Sequence, residues 1–379
     1  MKKICFLTGT RADFGKIRSL MRAVNESPQF ELDVFVTGMH LSKIHGSTYH
    51  EILKENFANV QIDSLNEESL NGSMSLRLGH IITNFTKHVH EKHPDMIIVH
   101  GDRIEAMAGA LVAALSNVRL GHIEGGEITG TIDESLRHAI SKLANEHFVS
   151  NKNASKCLEY LGEENNRIHI IGSPDLDAME EAKKGNLSET KKHYEIFFDE
   201  YGIALSHPVT TELDSLKEQT EAFVSALIES NKNWIVIYPN NDLGSELILD
   251  EYKRLKGNPR FRIIPSIRFE AFLLFLFNSK IMIGNSSAGT RETCVYGIPS
   301  IDIGSRQNGR YDKKSSPSIT HVEANKAEIL AAIYKGYSSN SRECSNLWGT
   351  GKSSKKFTDI ISKKEFWATS IQKKLQFKA

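Results

Sequence analysis

Short apolar runs alternate with helical patterns along most of this chain, and the stretch from Met96 to Ala144 carries that alternation most clearly. Met96-Ile97-Ile98-Val99 is closed by His100-Gly101-Asp102-Arg103, and an alanine-rich helical pattern follows from Ile104 to Leu115. A second run, Val118 to Ile123, is closed by Glu124-Gly125-Gly126-Glu127, and Asp133-Glu134 opens another helical pattern. Continuous apolar runs of this length read as strands buried on both faces of a parallel sheet, with crossover helices between them. A chain of this pattern belongs to the α/β class. In such sheets the ligand crevice lies beyond the carboxyl ends of the strands. Asp102 and Glu124 each follow a strand end, and Asp133 stands at the start of the next helix, so neighbouring strands would bring the acids to one edge. Each acid alone has a structural explanation, as a helix cap or a partner of Arg103 or Arg137. Three together point to proton chemistry on a bound substrate.

The pattern extends in both directions. Ile4 to Leu7 reads as a first buried strand, turning at Thr8-Gly9-Thr10-Arg11-Ala12-Asp13 into a helix with Phe14, Ile17, Leu20, Met21 and Val24 on one face. The start of that helix, with Arg11, is a candidate anion site. Leu32 to Val36 is the next strand, and Leu76 to Val89 a helix ending near His88, His90 and His93, where imidazoles suit the helix dipole better than they suggest a metal. His147 to Val149 and His169 to Ile171 read as strands around a helix, Ala154 to Leu161. Gly185 to Ser188 breaks the periodicity and marks a linker.

A second alternating series begins at Gly202-Ile203-Ala204-Leu205, which runs into Ser206-His207-Pro208. Trp234 to Tyr238, Phe261 to Ile264 and Lys280 to Ile283 continue it. Two successive series imply two doubly wound domains facing one another. We set them at 1–185 and 186–355, with 356–379 as a tail whose basic amphipathic helix, Phe366 to Phe377, packs back through Trp367, Ile371 and Leu375. The sharpest local signal of the second half is Ile283-Gly284-Asn285-Ser286-Ser287-Ala288-Gly289-Thr290-Arg291-Glu292. A strand enters a loop of small residues and then a helix, which lets phosphate oxygens approach backbone N–H groups. Ser286 and Ser287 add hydroxyl donors, Glu292 a partner for a ribose diol, and Arg306 a phosphate cation. The Gly-Lys-Ser/Thr ending of a Walker loop is missing. Acids on one wall and a diphosphate site on the other suit a nucleotide-sugar, with His207 to stabilise the departing diphosphate or relay a proton.

Composition excludes several other readings. Across 379 residues, 47 Lys+Arg balance 47 Asp+Glu, and this neutrality argues against nucleic acid as the main partner. Cys5, Cys157, Cys294 and Cys344 lack Cys-x-x-Cys spacing, which points to reduced thiols in a cytoplasmic protein. Met1-Lys2-Lys3 leads straight into a strand-like run without the apolar core of a secretory leader. The most apolar stretch, Phe269 to Gly284, is interrupted by Glu270, Asn278 and Lys280, so no membrane span is expected.

With these motifs in order, the chain resembles the hydrolysing UDP-N-acetylglucosamine 2-epimerases of bacterial sialic-acid synthesis. The resemblance runs from Thr8-Gly9-Thr10-Arg11-Ala12-Asp13 to about Arg310, through His100-Gly101-Asp102-Arg103, His122-Ile123-Glu124-Gly125-Gly126-Glu127, Ile171-Gly172-Ser173-Pro174-Asp175, His207-Pro208-Val209-Thr210-Thr211, Tyr238-Pro239-Asn240-Asn241-Asp242, Pro265-Ser266-Ile267-Arg268-Phe269-Glu270 and Gly284-Asn285-Ser286-Ser287-Ala288-Gly289. It implies a GT-B-like pair of Rossmann-like domains with the active site in the cleft between them. It also implies conversion of UDP-N-acetylglucosamine to N-acetylmannosamine and UDP, by elimination to 2-acetamidoglucal and then hydration. Carried over by motif, the catalytic residues are Asp102, Glu124, Asp133 and His207. The UDP contacts are Arg11, Lys16, Arg103, Asn240, Ser266, Ser286, Ser287, Glu292 and Arg306. Neither a cofactor nor a metal is implied, and the family commonly forms homodimers.

Two neighbouring chemistries share these expectations. Non-hydrolysing epimerases return UDP to the glycal; their acid motif is usually followed by Ala-Gly and then Arg, whereas this chain has Gly125-Gly126-Glu127 and Thr131-Ile132-Asp133. Hydrolysing enzymes acting on UDP-N,N'-diacetylbacillosamine differ in the sugar pocket, which the sequence does not reveal. A GT-B glycosyltransferase would need an acceptor site and has no use for three acids in the first domain.

Overall fold

The computed structural model describes residues 1–43, 46–65, 73–128, 132–240, 242–311, 316–339, 342–374 and 376. The chain divides into two compact units. One comprises Met1–Glu127, Asp133–Ala178 and Gly349–Ala379, and the other Ile128–Ile132 and Met179–Trp348.

The first unit is built on a parallel sheet of β1 (Lys2–Thr8), β2 (Phe30–Val36), β3 (Val60–Ile62), β4 (Met96–His100), β5 (Arg119–Ile123), β6 (Glu146–Val149) and β7 (Ile168–Ile170), in the order β3-β2-β1-β4-β5-β6-β7. The order reverses between β1 and β4, which places the topological switch point at their carboxyl ends. Successive residues serve opposite faces. Ile4 and Phe6 of β1, with Met96 and Ile98 of β4, pack beneath the helices Arg11–Glu26 and Ser353–Ile361. Cys5, Leu7, Ile97 and Val99 pack with Phe85 and Val89 of the helix Met74–Lys92, Ala106 and Ala110 of the helix Ile104–Leu115, and Ile140 of the helix Ile132–Leu143. Helices on both faces explain why the central strands have no polar alternation.

The second unit repeats the plan with β8 (Gly202–Leu205), β9 (Trp234–Ile237), β10 (Phe261–Ile264), β11 (Ile281–Gly284), β12 (Ser300–Ile303) and β13 (Ile319–Val322), all parallel in the order β10-β9-β8-β11-β12-β13. Its switch point lies between β8 and β11. Buried Trp234, Val236, Ile283 and Ile301 meet Phe223 and Leu227 of the helix Leu213–Glu229 and Ile329 and Ile333 of the helix Lys326–Ser338.

Several local expectations are corrected. The edge strands β3 and β13 are additional to the sequence-predicted strands. The segment expected as a linker at 185–188 is a turn leading into the helix Leu187–His193, capped by Asn186 through Glu189 N–H at 3.2 Å. The tail helix ends at Ala368 rather than Phe377; beyond it the carbonyls of Thr369, Ser370 and Ile371 accept from Arg119, Arg167 and Asn145, which holds the backbone out of a helix. Leu375 and 377–379 lie outside the described residues. Among the described residues, no helix is long and apolar enough to cross a membrane.

Candidate active site

Glu124 sits just past β5 in a left-handed backbone conformation, φ +62, held by its N–H bond to Phe148 O at 2.9 Å. A non-glycine residue in that region is strained, and such strain is concentrated at functional positions. One carboxylate oxygen takes the hydroxyl of Ser173, from the loop after β7. The other lies 3.1 Å from His100 Nε2, and His100 Nδ1 lies 2.8 Å from Asp13 Oδ1. Asp13 in turn accepts from Thr8 Oγ1 at 2.7 Å and Gly9 N–H at 3.1 Å. Burial disfavours a charge on His100, but the two carboxylates outweigh it and raise its pKa to about 9. One residue pair away, His122 is wholly buried, gives Nε2–H to Gly101 O at 2.7 Å, and is pushed down by burial to about 3.

Asp102 follows β4 and pairs with Arg137, from the first half of the helix Ile132–Leu143. Arg137 is buried and also donates to Glu127 O at 2.9 Å. Burial opposes its charge, yet Asp102, Glu127 and Asp133 hold it cationic. At the carboxyl edge of this sheet the acids fall into two groups: Asp102 paired with Arg137, whose charge Asp133 also favours, and Glu124 with His100 and Ser173. A cation stands within each group.

The expected cations are engaged as well. Arg11 forms a two-toothed pair with Glu51, at 3.1 and 2.6 Å, and buried Lys16 lies 3.3 Å from Asp175 Oδ2. Arg103 Nε is 3.5 Å from the buried carboxylate of Glu105. The histidines near the end of the helix Met74–Lys92 do not gather: His90 and His93 are exposed, while buried His88 is 2.6 Å from Asp33 Oδ2 and 3.9 Å from Cys5 Sγ. A separation of 2.6 Å is that of a hydrogen bond, not of two ligands on one ion.

In the second unit the switch point is organised by Asn285. Its Oδ1 accepts from His207 N–H at 2.7 Å, and its Nδ2 donates to His207 O at 2.8 Å, which ties the end of β11 to the end of β8. Gln307 Nε2 and Arg306 Nη1 donate to Asn285 O, at 2.8 and 3.2 Å. The His207 ring accepts Asn240 N–H at Nδ1, 3.1 Å away, so the neutral ring carries its proton on Nε2. Gly284 has φ +134, and a Cβ there would stand 1.9 Å from Leu205 O, so only glycine lets the strands meet this closely.

The loop of small residues beyond β11 reaches its helix through an extra turn. A short 3₁₀ turn, Ser287–Gly289, precedes a brief helix, Glu292–Tyr296. The N–H groups of Ala288, Gly289, Thr290 and Arg291 are used inside the turn, by Ser286 and Ser287. That leaves hydroxyl donors, rather than a row of unengaged amides, as the polar character of the loop. Ser286 and Glu292 are buried, and Ser266 is half-buried just beyond β10. His100, Asp13, Ser173, Arg137 and Asn285 were not among the expected site residues. A histidine or asparagine directly at a strand end, ahead of a Gly-Asp or a Ser-Ser, is the signal that would have found two of them.

The profile of the family described as UDP-N-acetylglucosamine 2-epimerase matches residues 22–362. The chain belongs to the UDP-N-acetylglucosamine 2-epimerase family. It is 43% identical over 378 residues to the UDP-N-acetylglucosamine 2-epimerase of Neisseria meningitidis serogroup B, covering 99% of this chain and 98% of that protein. It is 33% identical to the UDP-N,N'-diacetylbacillosamine 2-epimerase (hydrolyzing) of Legionella pneumophila, covering 95% and 96%. Among solved structures, it resembles the Methanocaldococcus jannaschii UDP-GlcNAc 2-epimerase in complex with UDP-GlcNAc and UDP, at TM-score 0.81 and 22% identity over 96% of this chain and 99% of that one. That likeness shows the epimerase fold, which is GT-B-like, with two doubly wound α/β units.

Proposed function

We propose that this family member is a hydrolysing 2-epimerase, converting UDP-N-acetylglucosamine and water to N-acetylmannosamine and UDP in the cytoplasm, as a step toward sialic acid. The observation that carries the reading is the set of acids beyond the strand ends of the first sheet: Asp102 paired with Arg137, Asp133 adding to the field at that guanidinium, and Glu124 against His100. Loss of an unactivated proton from C2 needs a positioned carboxylate, and departure of UDP needs its charge taken up by donors. In the elimination a carboxylate takes the C2 proton, the C2–H electron pair forms the C1–C2 double bond, and the C1–O bond electrons leave with UDP. In the hydration, water adds its oxygen to C1 while C2 regains a proton on the opposite face. Asp102, Glu124 and Asp133 serve these proton transfers. His207 and Arg11, Lys16, Arg103, Asn240, Ser266, Ser286, Ser287, Glu292 and Arg306 serve the UDP moiety, and the enzyme works as a homodimer.

A second substrate is supported by the Legionella relative, which is named for UDP-N,N'-diacetylbacillosamine. One experiment separates the readings. Purified protein is incubated in deuterated water with each nucleotide-sugar and followed by NMR. Deuterium at C2 of free N-acetylmannosamine, from UDP-N-acetylglucosamine, is the expected outcome. Label retained in a UDP-linked product points to the non-hydrolysing reaction, and turnover of the diacetyl sugar alone to the second substrate.

A further inference from the structure

His100 closes the central strand of the first sheet, and its two ring nitrogens meet carboxylates belonging to the elements on either side: Asp13, beyond β1, and Glu124, beyond β5. A neutral imidazole carries a single N–H, so one of these contacts would set a lone pair against a carboxylate. Between two ionised carboxylates, only the imidazolium satisfies both. Neither carboxylate is free to swing away. Asp13 is pinned by Thr8 and Gly9, and Glu124 is fixed by Ser173 and by its own left-handed backbone. Another titratable neighbour, His122, is neutral and engaged with Ser141 at 3.0 Å and Gly101 at 2.7 Å. The two carboxylates thus set the charge on His100, whose pKa they raise against the effect of burial.

We propose that His100 is a positioning residue of the epimerase reaction, a cationic bridge that holds Glu124 ionised and fixed in orientation. This rests on the reading of Glu124 as one of the acids that act on the sugar. It extends that reading, since a carboxylate with a fixed cation behind it stays ready to accept a proton down to lower pH. The bridge works only while both ring nitrogens carry protons, so rising pH dismantles it.

The test is the pH dependence of kcat/KM with UDP-N-acetylglucosamine for the wild type, His100→Gln and Asp13→Asn. The wild type is expected to lose activity with a midpoint at about 9. In His100→Gln, kcat falls roughly 30-fold or more with KM within about threefold, and the acid limb rises by about one pH unit because Glu124 has lost its cation. In Asp13→Asn, which is isosteric, the alkaline limb moves down by about one unit as the imidazolium loses one of its two anions. A merely structural role would lower Tm in both variants and leave both limbs in place. Superimposable pH profiles in the variants that fold, or a wild type with no alkaline limb near pH 9, overturn the inference. Absence of any wild-type turnover overturns the functional reading and this inference together, whereas wild-type turnover with unmoved limbs overturns this inference alone.

Discussion

Asn285 grips the backbone of His207 at both ends of its side-chain amide, accepting the N–H at 2.7 Å and donating to the carbonyl at 2.8 Å. The pair joins the strand ends that flank the second switch point, and both groups are buried. Asn285→Ala leaves a buried N–H and a buried C=O unsatisfied, so about 2–4 kcal/mol of stability is lost. Asn285→Asp keeps the acceptor but sets an anionic oxygen against the carbonyl, and fares no better. Chemical denaturation checks this; a loss below about 0.5 kcal/mol in Asn285→Ala rules out the clasp as a stabilising element.

Gly284→Ala tests the close meeting of β8 and β11. The new methyl group would stand 1.9 Å from Leu205 O, at a φ of +134 that alanine avoids. The variant is expected to lose at least about 4 kcal/mol or to fail to fold. Gly257→Ala is the comparison: at φ +79, with nothing within 4 Å, it bears only the left-handed backbone penalty of about 1–2 kcal/mol. Equal Tm values for the two variants would contradict the argument.

Asp102→Asn and Glu124→Gln separate chemistry from folding. Both keep shape, and Arg137 retains Glu127 O and the field of Asp133. Turnover is expected to fall by roughly 10²-fold or more, while the dissociation constant for UDP, read by calorimetry, stays within about threefold. Wild-type rates in either variant remove that residue from the acid set.

The first sheet was legible as strands because both faces of β1, β4 and β5 are covered, which makes their sequence continuously apolar. The helix Ile104–Leu115 was legible from end to end. β3 and β13 were not, because short edge strands such as Val60-Gln61-Ile62 need no such run. The positions of Asp102 and Glu124 after strand ends were legible from the apolar runs that precede them. Arg137, 35 residues from Asp102, was named only as one of two possible ion partners, and the pairings of His100 with Asp13, 87 residues away, and of His207 with Asn285, 78 residues away, were missed. Those distances along the chain are closed only by the sheet order, which no local pattern encodes. The tail helix was overextended for the same reason: the groups that capture the carbonyls of Thr369 to Ile371 come from Arg119, Asn145 and Arg167.

Stability should pass through a maximum in pH. Burial lowers His40 to about 4 and His122 to about 3. Below about 6.5 the unfolded chain therefore binds protons that the folded chain refuses, and stability is lost as pH falls toward those values. His100 has the opposite sign. Raised to about 9, its contribution is fully present below about 6.5 and is lost as pH rises through 9. Together these place the crest of Tm against pH near 6.5–7, with declines of several kcal/mol toward pH 4 and pH 9.5. Thermal scans in matched ionic strength check it; a flat curve over that range would show that these histidines titrate alike in both states.

Lys373 donates to the carbonyls of Ser141, Lys142 and Ala144, at 2.9, 2.9 and 2.7 Å, and so caps the helix that carries Asp133 and Arg137. It also pairs with buried Glu163 at 2.5 Å. Removing residues after Ala368 strips this cap, along with the bonds from Arg119, Arg167 and Asn145. A loss of about 2–4 kcal/mol is expected. Lys373→Met should lose about half of that, because Glu163 keeps His147 and Lys142. Hydrogen exchange in the last turn of Ile132–Leu143 reads the effect directly, and unchanged protection there would show that the cap is idle.

Phe357 is wholly buried against Phe6 and Phe148, with ring centroids at 6.3 and 4.8 Å. Its helix, Ser353–Ile361, covers a face of a sheet whose first strand begins at Lys2. During synthesis the helix Arg11–Glu26 is made with the first strands, but Phe357 follows only after the second unit has been translated. A stop codon anywhere in the second unit therefore leaves Phe6 and Phe148 without the ring that packs against both.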